Sequence, residues 1–148
     1  MGYYWDTFTF GGYYDSEFSY WTRKLLDRII KLDYGLVYSY LVAKELENAP
    51  ERVRNLIHKV SGRIIEFIGP NQDVIDLATV YIKKGALTKR FKEGAEHIAL
   101  ATICDIDVLV SWNFKHMVNL IKLKQYNSIN LEYGYRQIDI RYSRELLP

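Results

Sequence analysis

Short apolar runs alternate with stripes of helical period along the whole chain, and that alternation constrains its fold more than any other feature. Residues 2–5, 35–38, 63–68, 108–111 and 137–140 read as strands, the middle ones bounded by Gly, Asp or Pro. Between them Phe18, Trp21, Leu25, Ile29 and Leu32 share one helical face, which predicts a helix over about 16–32. Val74, Ile75, Ala78, Tyr81 and Ile82 make a second stripe, closed by Gly85. Phe91, Ala95, Ile98, Ala99, Thr102 and Ile103 make a third that leads into the strand at 108. Shorter helices are predicted over 41–48, ended by Asn48-Ala49-Pro50, over 51–59, and over 115–122, with a turn at Gly11-Gly12. Strands as uniformly apolar as Val108-Leu109-Val110 belong to a parallel sheet covered on both faces by helices, so the predicted class is α/β.

The chain has 148 residues, enough for one hydrophobic core and too few for two ordinary ones, so 1–148 is read as a single domain. With 49% hydrophobic and 26% charged residues it has the composition of a folded globular protein. The single Cys104 has no partner for an internal disulfide, and no run reaches the roughly 18 apolar residues of a membrane span. The opening MGYYWDTF lacks the basic start and apolar centre of a signal peptide. The expected compartment is the cytoplasm, with no membrane association. A net charge of +2 neither demands nor excludes a polyanionic partner, and the 13 tyrosines read first as core rings.

In open parallel sheets ligands bind beyond the carboxyl ends of the strands, where loops and helix amino-termini converge. Three polar residues fall there: Asp6 after the first strand, Glu45 on the helix after the second, and Asn113 after the run DVLVSW. No GxGxxG, phosphate-loop lysine, CxxC pair, HExxH helix or glycine-flanked nucleophilic serine is present. Carboxylate chemistry remains.

The segments YYWDTFTFGGYYD, LVAKELENAPERV, AEHIALATICDIDVLVSWNFKHMVN and YNSINLEYGYRQIDIR, taken in order, resemble a PIN-domain protein of the VapC-like toxin type, within a sub-group marked by SWNFKH. The resemblance covers nearly the whole chain. It implies a PIN-like three-layer sandwich with a central, mostly parallel sheet, and an acid cluster that holds Mg²⁺ or Mn²⁺ for cleavage of RNA phosphodiesters. It also implies a homodimer and an antitoxin protein that blocks the site. By position, the first two acids are Asp6 and Glu45, the implied metal ligands, and Asn113, at the place of the fourth acid, is counted with them as catalytic.

The match is incomplete. The family's third acid falls on Gly94, its fourth on Asn113, and the usual serine two residues after the first acid is Phe8. An amide oxygen still ligates or holds a water, whereas glycine supplies no ligand. One helical turn on from Gly94, His97 shares its face, so it is read either as packed beneath the crevice and bonded to backbone or as part of the site. Glu93 and Glu96 are read as a solvated face, Lys115, His116 and Arg90 as candidate phosphate contacts, and Asp15, Asp105, Asp107 and Asp139 as turn and strand-edge residues. Two functions follow: a metal-dependent ribonuclease, or a degenerate domain of the same fold kept for binding RNA or a protein partner.

Overall fold

A computed structural model describes residues 2–148. In chain order it contains β1 (Gly2–Trp5), α1 (Thr7–Gly12), α2 (Ser19–Lys31), β2 (Gly35–Ser39), α3 (Tyr40–Leu46), α4 (Glu51–Val60), β3 (Ile64–Ile68), α5 (Gln72–Lys83), α6 (Lys92–Ile103), β4 (Val108–Val110), α7 (Leu120–Glu132) and β5 (Ile140–Arg141). The strands form one sheet in the order β3-β2-β1-β4-β5, every pair parallel, flanked by the helices in the α/β arrangement that the apolar runs predict. No described helix is long and apolar enough to cross a membrane.

The order places β1 at the centre, with β2 on one side and β4 on the other, so residues that follow these three strands emerge side by side at one end of the sheet. Tyr4 and Trp5 are fully buried because β1 is covered on both faces, and Tyr3, Leu36, Val108 and Leu109 complete the apolar centre around it. One polar cluster inside the core is fully paired: Tyr81 donates to Asn130 Oδ1 at 2.5 Å, and Asn130 Nδ2 donates to Thr102 at 3.2 Å, which ties α5, α6 and α7 together. Each such buried bond stabilises by only about 1 kcal/mol, but an unpaired group there would cost more.

Three local expectations are corrected. Gly11 and Gly12 lie inside α1 instead of forming a turn, because Asp6 caps a helix at once: its Oδ1 accepts from Thr9 N at 2.9 Å. Gly12 is needed there for space, since a Cβ would stand 3.0 Å from Trp112 Nε1. The helix predicted over 115–122 begins only at Leu120, capped by Asn119, and residues 114–117 form a turn. The last strand is shorter and later than 137–140, pairing only Ile140 and Arg141 with β4.

Candidate functional site

Asp6 leaves the end of β1 directly into the cap of α1, and this fixes one of its oxygens. Oδ1 accepts from Thr9 N and from Thr9 Oγ1, both at 2.9 Å, while Thr9 Oγ1 also reaches the Val110 carbonyl at 2.8 Å and so ties the cap to β4. The other oxygen, Oδ2, is buried and has no hydrogen-bond partner. Burial drives the Asp6 pKa above its ordinary value, opposed by the nearby Ser111 hydroxyl, by His97 and by the Thr9 bonds. The nearby Thr7 hydroxyl is also buried without a partner.

Glu45 projects from α3, one turn and a half after the cap that Ser39 makes on Val42 N. Its Oε1 accepts from His97 Nε2 at 2.5 Å. Burial pushes the Glu45 pKa up, but the bond and charge of His97 outweigh it, and the net displacement is downward. Behind the imidazole, His97 Nδ1 lies 2.6 Å from Tyr4 Oη, and Tyr4 Oη lies 2.7 Å from Ser39 Oγ. Because Glu45 is held as the carboxylate, Nε2 is the donor to it. Burial holds the Tyr4 phenol well above its usual range, so the phenol keeps its proton beside Nδ1. Ser39, Tyr4, His97 and Glu45 thus form one hydrogen-bonded chain across β2, β1, α6 and α3.

Asp6, Thr7, Glu45 and His97 line one cavity of about 230 Å³, closed on its other sides by Phe8, Arg90, Phe91, Glu93, Gly94 and Met117. The two acids that the sequence pairs therefore do share a crevice beyond β1 and β2. His97 is buried beneath the cavity, but its ring is bonded to Glu45 and Tyr4 and not to backbone, which corrects the expected backbone bond. Gly94 is buried on the cavity wall, and the Phe91 ring lies against it so closely that a Cβ at 94 would overlap the ring. The position where the resemblance expects a third acid is thus covered by an aromatic side chain. Phe91 in turn stacks on His116, ring centroids 4.5 Å apart. Glu93 is exposed at the rim, while Glu96 is half-buried and does not line the cavity.

Asn113 stands apart from the cavity lining. Its Oδ1 accepts from Lys115 N at 3.2 Å and from His116 N at 3.0 Å, and so closes the turn that carries the chain away from β4. An acceptor with no charge suffices for this bend. Lys115 is exposed beside it and also lies outside the lining, whereas Arg90 belongs to it. Asp15, Asp105, Asp107 and Asp139 have the turn and edge roles expected: Asp107 accepts from Gly2 N, and Asp105 and Asp139 pair with Arg136 and Arg141.

Tyr4 and Ser39 carry no signal as site residues in the sequence. Tyr4 reads as one more apolar strand position, and Ser39 only as the polar residue that starts a helix. Phe91 reads as a member of a core stripe.

The donor set suits a hard divalent cation. Asp6 Oδ2 is unpartnered, Glu45 is bonded through Oε1 alone, and Mg²⁺ commonly takes one or two carboxylates and completes its shell with water and substrate oxygens. A fuller protein cage is not built: among the described residues no three His, Cys, Asp or Glu side chains are grouped to hold a metal. No protein-family model matches the chain, and no curated protein matches it.

Proposed function

We propose that this protein is a metal-dependent ribonuclease of the VapC-like type within the PIN-domain family. The observation that carries the reading is the convergence of Asp6 and Glu45 on one cavity, the first buried with an open oxygen and the second held ionised. The parallel sheet with the cavity beyond its central strands, and the resemblance across the chain, support it further.

Asp6 and Glu45 would hold Mg²⁺ or Mn²⁺. The cation, when bound, supplies Lewis acidity that acidifies water and offsets charge building on the phosphate. The protein's own part is positioning. Thr9 locks the Asp6 carboxylate through Oδ1 and leaves Oδ2 free; His97 does the same for Glu45 through Oε1. Arg90 offers a cation to a phosphate on the cavity wall. Asn113 holds the turn after β4. A homodimer and an antitoxin partner belong to the same proposal and rest on the resemblance alone.

The test is cleavage of RNA by purified protein with Mn²⁺ or Mg²⁺, compared with Asp6→Asn. Loss of cleavage in the variant is expected; equal cleavage by both would remove the reading.

The Phe91 ring over Gly94 favours a second reading, a degenerate member kept for binding. It predicts that the wild type binds RNA yet cleaves none with either metal.

A further inference from the structure

Phe8 stands in the position of the family's serine, and its ring is 60% exposed on the outer side of α1. It belongs to two depressions at once. One is the acid cavity; the other is a groove of about 380 Å³ that shares Thr7, Phe8 and Glu45 with it and runs along α1 over Gly11 and Gly12 to Phe18 and Trp112. Where α1 ends in two glycines the groove is lined by the Phe18 and Trp112 rings, with Ala49, Pro50 and Val53 completing an apolar wall. Trp112 and Phe18 pack with ring centroids 4.0 Å apart, and Trp112 is pinned by its Nε1 bond to Thr22 at 3.1 Å. The groove has the size of ordinary ligand pockets, about 300–1,000 Å³.

At the end of α1 the chain continues into Tyr13 and Tyr14, and three cations ride on these rings. Arg23 lies 4.4 Å from the Tyr13 centroid, Arg52 lies 5.3 Å from that of Tyr14, and Lys59 lies 5.6 Å from that of Tyr13. Asp15 lines the groove as well, but its Oδ1 is spent on Glu17 N and Phe18 N. Along α1 the order is therefore two carboxylates, an exposed ring, an aromatic groove, and a cluster of three cations. A largely apolar, aromatic-lined site between the acid cavity and a basic cluster matches the alternation of phosphate and base along a nucleic acid strand.

We infer that this groove takes an unpaired base of single-stranded RNA next to the phosphate in the acid cavity, with Phe8 as the stacking platform and Arg23, Arg52 and Lys59 receiving the phosphates beyond. A base held in a duplex is stacked on both faces and has no surface to offer Phe8. The groove thus selects single strands. This assignment rests on the ribonuclease reading for its direction along the strand, but its test does not depend on cleavage.

The experiment measures binding of a fluorescein-labelled ten-nucleotide oligouridine in EDTA, by anisotropy, against the same label on a duplex of equal length. Phe8→Ala removes an exposed ring and keeps α1 helical. It is expected to weaken single-strand binding about tenfold, the scale of one lost base stack, and to leave duplex binding unchanged. Arg52→Ala with Lys59→Ala should weaken single-strand binding and flatten its salt dependence. Equal single-strand affinity in wild type and Phe8→Ala overturns the groove assignment, even where the wild type cleaves RNA and the ribonuclease reading survives. Tenfold loss without any metal-dependent cleavage by the wild type supports the groove and removes the reaction. Absence of single-strand binding by the wild type overturns the groove assignment as well.

Discussion

His97 Nε2 and Glu45 Oε1 lie 2.5 Å apart, although 52 residues separate them in the chain. This bond decides how the candidate site works, because it holds one oxygen of Glu45 against α6 and leaves the other for the cavity. Without His97, Tyr4 Oη would keep only Ser39, and Glu45 would lose the partner that keeps it ionised.

His97→Ala is expected to cost about 2–4 kcal/mol, from the buried volume and the stranded polar groups together. His97→Gln, which retains a donor toward Glu45, should recover part of it. Urea unfolding reads the stability. Carboxyl NMR titration reads Glu45, whose pKa should rise in the alanine variant; an unmoved Glu45 would mean that the imidazole does not set its charge.

Asp6→Asn should make the metal-free protein more stable at neutral pH. The folded Asp6 pKa lies above its ordinary 3.8, so ionisation is penalised by folding, and this penalty grows as pH rises through the folded pKa. Asparagine keeps the Oδ1 cap on Thr9 and removes the charge. Glu45 has the opposite sign: its folded pKa lies below the ordinary 4.5, so its contribution is fully present above that value and lost as pH falls through the folded pKa. Melting curves between pH 3 and 8 should show the gap between variant and wild type opening upward from the acid end.

Mn²⁺ should raise the melting temperature of the wild type and leave that of Asp6→Asn unmoved, since ligands that bind only the folded state stabilise it by mass action. An equal rise in both would place the ion elsewhere on the molecule.

Gly94→Asp alone should not restore a working third acid. Its Cβ would overlap the Phe91 ring, and overpacking of this kind costs about 1–3 kcal/mol. Phe91→Ala together with Gly94→Asp should be more stable than the sum of the single changes allows, because the two side chains compete for one space. A double-mutant cycle in urea measures the coupling, and strict additivity would contradict the packing.

Asn113→Ala should lose about 1 kcal/mol through the two backbone N–H groups it releases, whereas Asn113→Asp, still an acceptor, should unfold near the wild-type denaturant midpoint. Equal stability of all three would deny the turn its dependence on this side chain.

The α/β class was legible from residue order because period two and period 3.6 are local properties, written wherever one face of an element is buried. β1, β2, α3, α4 and α5 lie within a residue or two of their predicted bounds for that reason. The helix α1 escaped notice: Gly11-Gly12 signals a turn locally, and only the Trp112 ring, a hundred residues away, crowds a side chain at Gly12. The stretch from 114 to 119 misled in the same way, its apolar spacing matching a helix while Asn113 and Asn119 each spend their side chains on a bend and a cap.

By itself the sequence determined that Asp6 and Glu45 each follow an apolar strand of a parallel sheet, and thus that they emerge at its carboxyl end. The tertiary structure decided what surrounds them. His97 became a partner of Glu45, Tyr4 a link in a buried chain, and Phe91 the cover over Gly94. Asn113 was turned to its own backbone. Element type is encoded by periodicity along the chain, but strand order, hydrogen-bond partners and close contacts are choices among residues distant in sequence, made only when burial removes water as the alternative partner.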